Sequence, residues 1–113
     1  MLNVDENYNI YLTRGDSATF NLTIYEDDGE TPYIMQPGDT LLFTVRRLYD
    51  KGEILITKVF NTLSFQILPI DTADLTTGKY KYDICIYNGS GWIDTFLNEK
   101  IFELGEEVHD FAR

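Results

Sequence analysis

Histidine, cysteine and tryptophan occur once each in 113 residues, at His109, Cys85 and Trp92, and proline only three times. A single cysteine excludes an internal disulfide and leaves no thiolate cluster for zinc. His109 lies four residues from the C-terminus, where no rigid neighbour holds it against a Ser or Cys nucleophile, so a catalytic triad is not expected. Basic residues are also scarce: 9 Lys and Arg stand against 19 Asp and Glu, for a formal charge of -10. A phosphate-binding surface draws its affinity from Lys and Arg that release counterions, so this balance argues against nucleic acid and against an anionic membrane surface. The only adjacent basic pair, Arg46-Arg47, would point to opposite faces of a strand. No apolar run approaches the length of a membrane span, and the opening M-L-N-V-D-E-N-Y has neither a basic n-region nor an apolar core, so neither membrane insertion nor a signal peptide is expected.

What the chain does have is apolar and aromatic residues, at 43% and 14%, set at period two. That is enough for the core of one independent domain over 1–113, with 1–7 and 105–113 read as flexible arms. Alternation places strands over 8–13, 17–25, 40–48, 53–60, 62–68, 79–87, 92–97 and 100–104. Ser17 to Tyr25 is the cleanest, with Ala18, Phe20, Leu22 and Ile24 on one face. In 53–60 the two alternating sets leave the buried face open. The stretch from Glu26 to Asp39 carries two prolines and two glycines and reads as a connection. About seven to eight short strands, with turn signals between them and no amphipathic helix, predict an all-β sandwich or small barrel.

The most informative stretch is I-D-T-A-D-L-T-T-G-K-Y-K-Y-D-I-C-I, from Ile70 to Ile86. A polar corner leads through Gly78 into a strand whose Tyr80, Tyr82, Ile84 and Ile86 share one face. The spacing of Leu75, Gly78, Tyr80 and Tyr82 resembles the corner of immunoglobulin-like sandwiches, where a tyrosine hydroxyl returns to the upstream backbone. Gly78, Tyr80 and Tyr82 are therefore expected to form a structural corner. Cys85, of opposite parity, reads as a small half-buried hydrophobe.

Candidate chemistry is sparse. Arg14-Gly15-Asp16 is a three-residue integrin-type tripeptide, better read as a turn. Glu26, Asp27, Asp28 and Glu30 lack the alternating spacing of a calcium loop and read as a solvated acidic turn. Asp71, Asp74 and Asp83 offer paired carboxylates for hydrolysis, but aspartates at β-corners commonly cap turns. No catalytic, cofactor or metal residue is assigned, and an enzyme is not expected. The candidate interaction surface is Tyr87 with Trp92 across the turn Asn88-Gly89-Ser90-Gly91, an aromatic pair able to stack on a sugar or anchor a protein.

The runs T-R-G-D-S-A-T-F-N-L-T-I, P-G-D-T-L-L-F-T-V-R and I-D-T-A-D-L-T-T-G-K-Y-K-Y-D-I resemble small proteins of phage and prophage tail modules. The likeness is greatest to the N-terminal domain of baseplate upper proteins from phages of Gram-positive bacteria. It implies an immunoglobulin-like antiparallel β-sandwich assembled into a virion as a non-enzymatic structural component, while the opening residues, with no signal-like segment, lead us to expect synthesis in the bacterial cytoplasm. It also implies other tail or baseplate proteins as partners, and it admits a homo-oligomer. Tyr82 would then occupy the core position that a disulfide cysteine fills in secreted relatives. The alternative is a carbohydrate-binding or adhesin-like module with a glycan as partner.

Overall fold

The computed structural model describes residues 2–26, 28–49, 53–91 and 93–106. Along the chain lie β1 (Leu2–Val4), β2 (Ile10–Thr13), β3 (Ala18–Asn21), β4 (Thr40–Arg47), β5 (Ile54–Phe60), β6 (Ser64–Ile67), the one-turn helix α1 (Pro69–Thr72), β7 (Gly78–Tyr87) and β8 (Ile93–Gly105). Six strands form a sheet in the order β1-β2-β8-β7-β4-β5, and β3 pairs with β6 as a separate two-stranded ribbon. The fold is predominantly β. Among the described residues, no helix is long and apolar enough to cross a membrane.

Period-two alternation sets the inner face of the larger sheet. Tyr80, Tyr82, Ile84 and Ile86 of β7 are all buried, as are Leu41, Phe43 and Val45 of β4. Register puts Phe43 beside Ile84 and Val45 beside Tyr82. The ribbon closes over this face with Ala18, Phe20, Phe65 and Ile67 buried in the shared core. Phe65 of β6 stacks on Phe20 of β3 at 4.9 Å between ring centroids and meets both Phe43 and Phe60 at 5.3 Å. Each such buried side chain stabilises the fold by roughly 1.5–3 kcal/mol, and offset or tilted rings are the favoured aromatic geometry. The face left open for β5 resolves toward Ile56, which is buried, while Ile54 and Val59 are exposed on this edge strand.

Four expectations are corrected. The sheet is not wholly antiparallel: β2 runs parallel to β8, with Ile10 opposite Phe102 and Leu12 opposite Leu104. Partners from opposite ends of the chain share no turn, so local sequence carries no trace of their pairing. Residues 2–4, expected in a flexible arm, are β1, antiparallel to β2 with Leu2 opposite Leu12. The polar residues that suggested a solvated arm cap a turn, since the Asp5 carboxylate accepts the N–H groups of Asn7 and Asn9 at 2.9 and 3.0 Å.

Third, the described part of 92–97, from Ile93 on, and 100–104 belong to one strand, β8, interrupted by two register shifts against β7. Glu99, at φ 54°, lies at one of these irregularities, and its N–H donates to the Asp83 carboxylate at 2.6 Å. A bulge of this kind bends the strand without ending it. Fourth, regular pairing of 17–25 stops at Asn21, and the chain beyond it crosses to a bridge between Tyr25 and Pro32. Residues 50–52, between the strands expected over 40–48 and 53–60, and the C-terminal segment 107–113, which contains His109, lie outside the described residues.

Candidate interaction surface

The corner residues act structurally. Gly78 opens β7 at φ 139°, in the region that favours glycine. Two residues on, the Tyr80 hydroxyl donates to the Thr76 carbonyl at 2.6 Å and lies 3.1 Å from the Thr76 hydroxyl. The Tyr82 hydroxyl reaches further, donating at 2.5 Å to the carbonyl of Tyr8, which is itself at φ 65°. Burial, reinforced by the Asp5 carboxylate, pushes the Tyr82 phenol above its usual range. Tyr80 thus closes a local corner, and Tyr82 fastens the N-terminal segment to the core. The second bond joins residues 74 positions apart, so nothing in the local sequence announced it.

Among the described residues, the other sequence candidates are not brought together. Asp71 accepts the Leu68 N–H at 2.7 Å and pairs with Lys58 at 2.9 Å. Lys58 sits opposite Phe43 and Asp83 opposite Thr44, so Asp71 and Asp83 belong to opposite faces of the sheet, and Asp74 is exposed in the turn after α1. Asp28 accepts the N–H groups of Glu30 and Thr31; its hydrogen bonds with Thr31 and Glu30 hold it down at about 2. Asp27 lies outside the described residues. No group of three His, Cys, Asp or Glu side chains suited to a metal ion occurs among the described residues. Arg14-Gly15-Asp16 is a half-buried turn that docks on α1: the Gly15 N–H donates to the Thr72 hydroxyl at 2.9 Å and the Arg14 guanidinium to the Leu75 carbonyl at 3.3 Å. Cys85 is half-buried, and burial raises its thiol.

Tyr87 ends β7 half-buried on the outer face of the sheet, opposite Ile93. Trp92 lies outside the described residues. Between them the Gly91 N–H donates to the Asn88 carbonyl at 3.1 Å. A cleft of 660 Å³ adjoins this turn, lined by Tyr33, Gln36, Asp39 and Asn88 among others. Its two ionisable groups are engaged with each other. The Tyr33 hydroxyl donates to the Asp39 carboxylate, which also accepts the Gln36 N–H at 2.9 Å; the same bond pushes the Tyr33 phenol up to about 12 and holds Asp39 below the usual carboxylate range.

The larger feature is an apolar groove of 720 Å³ between the N-terminal segment and β3. Leu2, Val4 and Tyr8 form one wall, Phe20, Leu22 and Ile24 the other, and Ile84 and Leu97, which face each other across β7 and β8, lie at its base. The β3 wall is a strand edge. Since the Leu22 N–H donates to the Leu63 carbonyl at 2.9 Å just beyond the ends of both strands, the alternation makes Ala18 and Phe20 the residues of β3 that bond to β6. Thr19 and Asn21 therefore aim their N–H and C=O groups the other way. Among the described residues no strand pairs with that side. The sequence displayed the alternating face of 17–25 but not the groove, because the groove depends on β1 joining the other sheet.

No family model and no curated protein matches the chain.

Proposed function

We propose that the chain is a non-enzymatic structural component of a phage or prophage tail or baseplate, an immunoglobulin-like module that works by associating with other proteins. The sandwich reading is supported by the strand order. β8-β7-β4-β5 facing β3-β6 matches the G-F-C-C′ and B-E strands of variable-type immunoglobulin domains. The Tyr80 bond to the Thr76 carbonyl has the form of the tyrosine corner of that fold. The separation of Asp71 from Asp83 supports a role other than hydrolysis.

The observation that carries the association reading is the edge of β3 beside an apolar groove, which no strand pairs among the described residues. A row of free N–H and C=O groups is a template for a further strand, and apolar surface beside it supplies the driving force. The tail setting comes from the resemblance across residues 8–104. Particles purified by density gradient from a lysate of the encoding phage or induced prophage are expected to contain the chain in constant ratio to the other tail proteins, by quantitative mass spectrometry. Its absence from such particles overturns the tail assignment. Saturable binding of a cell-wall sugar, lost in Trp92→Ala and measured by titration calorimetry, would replace this reading with the carbohydrate-binding or adhesin-like one.

A further inference from the structure

Three features of the groove bear on what fills it. The first is shape: one wall is a strand edge whose outward N–H and C=O groups repeat every second residue, and the opposite wall and base are apolar. A segment paired with β3 would turn alternate side chains into the groove and the rest to solvent. The second is that β2 pairs with β8 only from Phe102 to Gly105, so β8 ahead of Ile101 has no strand on that side among the described residues. Leu97, at the groove's base, belongs to this uncovered stretch. The third is charge. Between Met1 and Gln36 the acids are Asp5, Glu6, Asp16, Glu26, Asp27, Asp28 and Glu30, and the only base is Arg14, whose guanidinium is turned to the Leu75 carbonyl. Both walls come from this stretch: Asp5 and Glu6 follow Val4 directly, and Glu26 follows Tyr25.

We propose that the groove beside β3 is a β-augmentation site for an extended, basic segment of a different polypeptide. Its backbone pairs with Thr19 and Asn21, its alternate apolar side chains meet Ile84 and Leu97, and its Lys or Arg residues face the acids that flank the two walls. Charge selects against a second copy of this chain. Each copy carries -10, and apposing two acidic faces in this groove brings like charges together instead of neutralising them. The proposal rests on the association reading above and names the partner chemistry of that surface.

The probe is a fluorescently labelled ten-residue peptide of alternating valine and threonine with two lysines at each end, titrated with the full chain and read by anisotropy. Saturable binding is expected, weakened at least about tenfold by N-methylation of alternate residues, by scrambling of the alternation, or by glutamates in place of the lysines. Affinity should also fall as salt is raised, because the flanking charges are exposed. On the protein side, Thr19→Pro removes an outward N–H that makes no bond to β6, so it should abolish binding while leaving the unfolding midpoint near that of the wild type. If that variant fails to fold, the N-methylated peptide still decides, since it leaves the protein untouched. Equal binding of the alternating and scrambled peptides, or no effect of N-methylation, overturns the proposal. So does a dimer in sedimentation that Thr19→Pro dissolves, which would make a second copy the occupant. Failure of every peptide sinks the basic-strand occupant but leaves the tail assignment standing on the particle composition.

Discussion

Two tyrosine hydroxyls on β7 hold different parts of the molecule. Tyr80→Phe deletes the bond to the Thr76 carbonyl and should lower stability by about 0.5–1.5 kcal/mol. Urea unfolding should show a lower midpoint with an unchanged slope, because surface exposure on unfolding does not change; an unmoved midpoint counts against the corner. Tyr82 adds a dependence on pH. Its phenol is buried and its folded pKa is raised, so the folded state keeps the proton that the unfolded chain releases near the usual value of about 10. Above that value the unfolded state binds fewer protons, and stability falls as pH rises. The contribution is present in full below about pH 10 and is lost from there toward the folded value. Between about pH 9 and 11.5 the wild-type midpoint should therefore fall more steeply than that of Tyr82→Phe; parallel curves would show that the Tyr82 proton is not linked to folding.

At the scale of elements, the same contrast explains what was readable. β3, β4 and β7 could be read from alternation alone because each presents one face to the core: Ala18 and Phe20, Leu41 to Val45, Tyr80 to Ile86. The corner at Gly78 and Tyr80 could be read because its hydrogen bond spans four residues. β1 could not, since its place depends on β2, and β2's place depends on β8 at the other end of the chain. α1 was equally hidden: Pro69–Thr72 is a single turn, too short to show a helical period. It is held through Asp71, which bonds both the Leu68 N–H and Lys58. Asp71→Asn keeps a side-chain oxygen for Leu68 but loses the ion pair, and should lower stability by up to about 1 kcal/mol. Asp71→Ala loses both contacts and should lower it by about 1–3 kcal/mol. If Asn and Ala prove equally destabilising in urea, the bond to the Leu68 N–H contributes nothing and the corner is held by the ion pair alone.

For the whole molecule, open edges and acidity belong to one problem. An unpaired strand edge invites association with any other edge, and among the described residues such edges occur on β3, beside the apolar groove, and on the outermost strands β1 and β5. A charge of -10 at pH 7 keeps copies apart through mutual repulsion. That protection should lapse as pH approaches the isoelectric value expected from the composition, about 4.3. Asp5 and Asp39 are held below the usual carboxylate range by their hydrogen bonds, and Asp28 at about 2. Their folded-state stabilisation is present above the usual carboxylate value of about 3.9 and is lost only as pH falls from there through their own values. Near pH 4.3 most of the fold's stability should then remain while the repulsion is gone. Static light scattering should rise steeply between about pH 6 and 4.5 with the far-ultraviolet β signal retained, and the rise should be reversible on return to pH 7. Thr19→Lys, which sets a charge on the β3 edge, should shift the onset, since charged edge residues block strand addition. If scattering appears only together with loss of the β signal, association follows unfolding and the native edges are not responsible. If Thr19→Lys leaves the onset unmoved while the β signal persists, association runs through β1 or β5 instead.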